Sequence, residues 1–311
     1  MGCRSGIRRS LRRGQPGPSG RNGHHREGDR DVVLRRREGL HEEGGLTLGK
    51  RTAARTDVGR VRELNEDRYL VRVEPRGTLL AVADGVGGEA GGEMASSAAI
   101  EALSRRFFDA SAELSRADAL AAAMRDANDA VLGAAGKSGQ KGAASTLVAA
   151  AVSGNNAVVG NLGDSRAYLV RDGTIQRITA DHSGAFPSSI TRFVGDPNGV
   201  QPDVFVETLV PGDRLLLCSD GLTRHVPDEE IAAEARSQDI ERAVKSLVDL
   251  ANERGGEDNI TVVLYAARPR RLFADANVGL TDAILALLVA VVIALAIAAV
   301  IFASGAYQTA P

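Results

Sequence analysis

Acidic residues recur at the ends of apolar, strand-like runs, and that placement limits the possible folds more than any other feature of the sequence. Thr78 to Ala83 is a short apolar run that reads as a buried strand. It ends on Asp84, and Gly85, Gly87 and Gly88 follow at once. A carboxylate at the edge of a core is costly unless it is paired or bound to a metal. Glycines beside it let the backbone turn tightly and bring its own carbonyl close to whatever the carboxylate holds. The same arrangement returns at Glu66-Asp67 before Tyr69-Leu70, at Asp164 between Asn161 and Arg166, at Asp220 after Leu215 to Ser219, and at Asp258 before Ile260 to Leu264. Singly, each acid reads as a turn residue or a cap. Brought together, they form an oxygen cage that repels itself without cations. Two divalent ions about 3.5–4 Å apart would neutralise it, generate hydroxide at neutral pH and clamp a phosphate. An all-oxygen donor set suits Mg²⁺ or Mn²⁺.

The rest of the composition narrows the class. Only Cys3 and Cys218 occur, the second inside the apolar run Leu215 to Cys218, and no Cys/His cluster has zinc spacing. A disulfide framework is excluded, and a reducing compartment is expected. A formal net charge of −2 gives no bulk pull toward nucleic acid. Residues 1–47 are expected to be a disordered segment, because eleven arginines within residues 1–45, many glycines and few apolar side chains leave nothing to bury. Residues 48–267 carry the pattern of a folded domain and 268–280 that of a juxtamembrane linker. Residues 281–303 are expected to form a transmembrane helix, since Ala283 to Ala303 has no charge and would rise about 30 Å. Residues 304–311 are a short tail. Arg268, Arg270 and Arg271 on the N-terminal side of the span would keep the folded domain in the cytoplasm, anchored to the cell membrane by a single pass.

Within the domain, strands are expected at Arg51–Thr56, Arg68–Val73, Thr78–Ala83, Ala144–Val152, Ala157–Asn161, Arg166–Val170, Thr174–Ile178, Val204–Leu209, Arg214–Cys218 and Ile260–Ala266. Helices are expected at Gly91–Phe107, at Ser115–Leu132 with Ser115 and Asp118 as a capping pair, at Asp228–Ser237 and at Asp239–Arg254. Blocks of strands separated by blocks of helices indicate an α+β layering.

Six stretches, in order, resemble the metal-dependent serine/threonine phosphatases of type 2C, bacterial type. Thr56 to Asp67 resembles the family's first motif and Ala83-Asp84-Gly85-Val86-Gly87-Gly88 its second. Ser145-Thr146, Gly163-Asp164-Ser165-Arg166, Cys218-Ser219-Asp220-Gly221-Leu222 and Asp258-Asn259-Ile260-Thr261 match later ones. The resemblance implies a four-layer α-β-β-α sandwich of two antiparallel sheets flanked by helix pairs. It implies two or three Mn²⁺ or Mg²⁺ ions in a cleft at one end. Asp84 falls at the carboxylate bridging both metals and Gly85 at a backbone carbonyl that helps hold them. Asp220 and Asp258 fall at the second-metal positions, and Glu66 and Asp67 where metals or their waters are contacted. Asp164, with Asp220, matches a weaker third site. Arg62 matches the arginine on the substrate phosphate, and a guanidinium fork fits phosphate oxygens better than a lysine would. Read without the family, Arg62 is a surface ion pair with Glu63 or Glu66. The implied activity is hydrolysis of phosphoserine and phosphothreonine in proteins by a metal-bridging hydroxide, opposing a bacterial Ser/Thr kinase.

Two departures stand out. Val86 occupies the place where some relatives put a proton-donating histidine, which leaves a metal-bound water, or less favourably His182, to protonate the leaving group. The flap after Asp181-His182-Ser183 is cut to Gly184–Thr191, which should leave the cleft open. A catalytically silent phosphoprotein-binding module would have no reason to keep the repulsive acids Asp84, Asp220 and Asp258. A phosphatase dedicated to one regulatory partner stays open.

Overall fold

A computed structural model describes residues 51–87, 91–111, 113–184, 189–267, 287–296 and 299. One sheet runs in the order β1 (Thr52–Asp57), β11 (Ile260–Ala266), β10 (Arg214–Cys218), β7 (Arg166–Arg171), β8 (Thr174–Arg177). The other runs β2 (Asp67–Glu74), β3 (Gly77–Val86), β5 (Leu147–Ser153), β6 (Asn156–Leu162), β9 (Asp203–Thr208), with the two-residue β4 (Ala144–Ser145) beside the end of β3. Every pairing is antiparallel. The helices are α1 (Gly91–Asp109), α2 (Arg116–Ser138), α3 (Asp220–Thr223), α4 (Asp228–Ala235) and α5 (Ile240–Glu253).

The side-chain alternation of β-strands explains the layers. On β3, Leu79, Ala81 and Ala83 join a core with Ile100, Leu103, Leu120 and Met124 of α1 and α2. Leu80 and Val82 point the other way and pack with Leu169, Leu215, Leu217 and Val263 of the opposite sheet. The far face of that sheet, Leu216, Val262 and Leu264, packs on Val244 and Leu247 of α5. Strands covered on both faces read as apolar runs, not as alternation, which is why Leu79–Ala83 looks uniform. The expected α+β layering of two antiparallel sheets with helices outside is what the chain adopts.

The expected transmembrane helix over 281–303 is corrected. Among the described residues no helix is long and apolar enough to cross a membrane. The single-pass anchor expected from apolar length therefore has no support. The expected disordered segment 1–47, the linker 268–280 and the tail 304–311 lie outside the described residues.

Local differences bear on the site. β3 does not stop at Ala83 but continues to Val86, so Asp84 and Gly85 are strand residues. The run expected as one strand over Ala144–Val152 is broken at Thr146. There Thr146 turns both its backbone N–H (2.8 Å to the Asp84 carbonyl) and its hydroxyl (3.0 Å from the Asp84 N–H) onto β3. The helix α2 runs on to Ser138 and ends at Gly139, whose φ of 73° gives a left-handed cap. Its expected start holds: Ser115 accepts the Asp118 N–H at 3.1 Å and donates to the Asp118 carboxylate at 2.6 Å.

Candidate metal centre

Five chain segments deliver acids to one end of the sandwich. Asp84 lies opposite Asp67 in the β2–β3 register, so two like charges face each other across neighbouring strands, an arrangement that is destabilising by itself. Asp220 opens α3 directly after β10, and Asp258 sits just before β11, the strand paired with β10. Asp164 follows β6. A cleft of about 660 Å³ is lined by Glu66, Asp84, Asp164, Asp220 and Asp258 together with Arg62. Gly85 also lines it. Asp67 is not among the lining residues and is 1% exposed. The cluster expected from sequence is thus brought together, with Asp67 set behind the cleft wall.

Close backbone packing makes this convergence possible. A Cβ on Gly85 would stand 2.2 Å from the Gly92 carbonyl oxygen and 2.8 Å from that of Glu66, so only glycine lets the start of α1 reach β3. Asn259, beside Asp258, pins the loop that carries Arg62. Its amide donates to the Val58 and Leu64 carbonyls, both at 2.9 Å, and its oxygen accepts the Glu66 N–H at 2.8 Å. Ser219 donates to Asp67 at 2.7 Å. The sequence reading quoted Asn259 and Ser219 only as parts of motifs; their anchoring roles depend on partners up to 201 positions away.

The electrostatics are those of a cage without enough positive charge. Burial raises the acids of Asp84, Asp67 and Asp220, and the neighbouring carboxylates push each further up. Asp164 is raised to about 6, first by burial and then by Asp220. Glu66 is raised by burial against the lowering pull of Arg62. Oxygens of Glu66, Asp67, Asp164 and Asp220 are buried without a hydrogen-bond partner, and such groups need an explanation in a native fold. Partnerless hard oxygens facing one cleft fit divalent cations of the Mg²⁺ or Mn²⁺ kind. Among the described residues, no three His, Cys, Asp or Glu side chains already stand at metal-holding geometry. Two guanidinium groups lie against the acids instead. Arg62 forks onto both oxygens of Asp258 at 2.9 and 3.0 Å, so its expected surface pairing with Glu63 or Glu66 is replaced by an ion pair inside the site. Arg224, which the sequence reading passed over, grips Asp220 and reaches Asp258 at 3.5 Å. Its signal was available: a base four residues after an acid on a helix is a standard pairing.

His182 is excluded as an acid at the cleft. It is 5% exposed, its Nδ1 accepts the Gly163 N–H at 3.1 Å, and its Nε2 faces Asp203 at 3.0 Å. Nδ1 thus holds the loop before Asp164 and Nε2 is engaged by the start of β9. Val86 is 45% exposed at the cleft lining, as expected of a side chain that donates nothing.

These shifts predict how the metal-free chain responds to pH. A carboxyl whose folded pKa is raised stabilises the fold at low pH and loses that contribution as pH rises through the folded value. Thermal scans with chelator present should therefore give a lower Tm at about pH 7.5 than at about pH 5, because Asp67, Asp84 and Asp164 are all raised. Added Mn²⁺ should raise Tm most at the higher pH, since bound carboxylates must be ionised. A metal-free Tm that climbs over this range would contradict the assignment.

Residues 59–264 match the family described as Protein phosphatase 2C. Among curated proteins, the serine/threonine phosphatase stp of Listeria welshimeri is 34% identical over 253 residues, covering 72% of this chain and 98% of its own. The serine/threonine protein phosphatase PstP of Mycobacterium tuberculosis is 36% identical over 262 residues, covering 78% of this chain and 48% of PstP. Among solved structures, the catalytic domain of PstP in complex with two manganese ions has a TM-score of 0.63 at 36% identity, over 70% of this chain and 98% of that one.

Proposed function

Because this chain belongs to the protein phosphatase 2C family and is a serine/threonine phosphatase of the bacterial type, we propose that it removes phosphate from phosphoserine and phosphothreonine in proteins at the Asp84 cleft, with divalent cations, and opposes a Ser/Thr protein kinase. The observation that carries the reading is the set of buried, partnerless carboxylate oxygens on Glu66, Asp164 and Asp220 around one opening, with that of Asp67 behind its wall.

Asp84, Asp220 and Asp258, with the carbonyl of Gly85, are the groups that would hold two cations, Asp164 would hold a third with Asp220, and Glu66 and Asp67 would orient the set. When bound, the cations supply the charge that activates water and offsets that of the phosphate. The described lining residues contain no Ser, Thr, Cys, His, Tyr or Lys. Cys218 is fully buried, and burial pushes its thiol far up. The carboxylates that line the cleft would be committed to the cations, so a covalent phosphoenzyme is not part of this reading and water attacks phosphorus itself. The bond to the seryl or threonyl oxygen breaks, inorganic phosphate leaves, and the alkoxide takes its proton from water. Arg62, half exposed at the cleft, holds two phosphate oxygens through its fork.

Phosphoserine, phosphothreonine and phosphotyrosine peptides of one sequence, each incubated with Mn²⁺ or chelator, test the reading. Phosphate release from the first two with Mn²⁺, and none with chelator, is expected. Release that is indifferent to chelator, or confined to phosphotyrosine, would contradict it.

A further inference from the structure

We infer that Arg224 is a built-in competitor for the cations: it occupies the carboxylates of Asp220 and Asp258 and thereby sets how much metal the chain needs. The inference rests on the reading of the cleft as a divalent-cation site.

Arg224 caps α3, with its N–H on the Asp220 carbonyl at 2.9 Å. Its side chain turns back one helical turn, placing Nε 3.0 Å from Asp220 Oδ2 and Nη2 on the same oxygen. Its Nη1 lies 3.5 Å from Asp258 Oδ2, so one guanidinium joins two acids at the same end of the antiparallel pair β10–β11. The other oxygen of Asp220 is buried and partnerless. Two distinct cations are thus offered the same carboxylates: the tethered guanidinium, always charged, and a divalent ion from solution. Arg62 makes its direct contacts to Asp258 alone and acts on Asp220 only through its charge, so Arg224 is the one of the two that grips both acids. Among the described residues, the ion pair given for Asp220 is with Arg224.

Three consequences follow. Without metal, Arg224 neutralises part of a cage that otherwise repels itself. With metal, its charge stays within a few ångströms of the ions, where charge–charge energies in a partly buried site remain large. Removing it should therefore tighten metal binding while weakening the metal-free fold. A merely structural arginine would produce only the second effect.

The test is Mn²⁺ titration by calorimetry, with free Mn²⁺ counted by electron paramagnetic resonance, on the full chain and on Arg224→Gln, alongside melting temperatures in chelator. The expected result is a Kd for Mn²⁺ about tenfold or more lower in Arg224→Gln, with a lower Tm in chelator. A Kd within twofold of wild type, or a higher one, overturns the inference while leaving the cation site intact. A wild-type chain that takes up no Mn²⁺ overturns both. Should Arg224→Gln fail to fold, Arg224→Met carries the test. Methionine keeps an unbranched apolar stem and removes the charge, so tighter Mn²⁺ binding is again expected, and a Kd within twofold of wild type again overturns the inference.

Discussion

Asp84→Asn is expected to cut kcat on p-nitrophenyl phosphate by about 10³-fold or more, equivalent to about 4 kcal/mol of transition-state stabilisation, and at the same time to raise the Tm of the metal-free chain. The two effects have one cause. Asp84 sits across from Asp67 and within reach of Asp220, Asp258 and Asp164, and its acid is raised by burial and by all four. Those repulsions strain the fold without metal and are what draws cations in. An amide of the same shape removes the charge, so the cage loses a repulsive member and its shared ligand together. Steady-state kinetics with saturating Mn²⁺ and a thermal scan in chelator read the two effects separately. An Asp84→Asn chain within tenfold of wild-type activity would remove Asp84 from the site, and a lowered metal-free Tm would show that its charge is not under strain.

Arg62→Ala should cost about 10²-fold in kcat/KM, close to 3 kcal/mol, the scale of losing a charge-assisted, two-pronged contact to a phosphate. Arg62→Lys should recover little of this, since an ammonium presents one point charge where the guanidinium presents a fork. The geometry adds a second expectation. Arg62 also holds both oxygens of Asp258, so its removal frees a carboxylate, and Mn²⁺ affinity should not fall. If kcat/KM and Mn²⁺ affinity drop together, Arg62 serves the metal set and not the phosphate. If lysine restores full activity, the fork has no part in recognition.

Much of this molecule was legible in its sequence because strands buried on both faces are apolar throughout and the acids interrupt them. Leu215 to Cys218 followed by Asp220, and Asp258 followed by Ile260 to Leu264, marked both strand and site. What escaped was set by tertiary contacts. The strand β3 reaches Val86 because Asp67 and β4 pair with its last residues, which no local pattern records. Thr146 breaks a strand because its hydroxyl and N–H are both used on Asp84. Arg224 was passed over in the sequence, and only the fold brings Asp258 to its other side. His182 was open to a chemical role until both ring nitrogens were seen to be engaged. Apolar length suggested a membrane span over 281–303, but among the described residues no helix is long and apolar enough to cross a membrane.

Everything rests on carboxylates from five chain segments sharing divalent cations. Counting Mn²⁺ bound per chain, after chelator treatment and back-titration near pH 7.5, tests that sharing at its source. Two or more ions per wild-type chain are expected, falling by at least one in Asp84→Asn, with hydrolysis of p-nitrophenyl phosphate returning in step with uptake. A chelated wild-type chain that binds no Mn²⁺, or that hydrolyses the ester without it, would contradict the assignment.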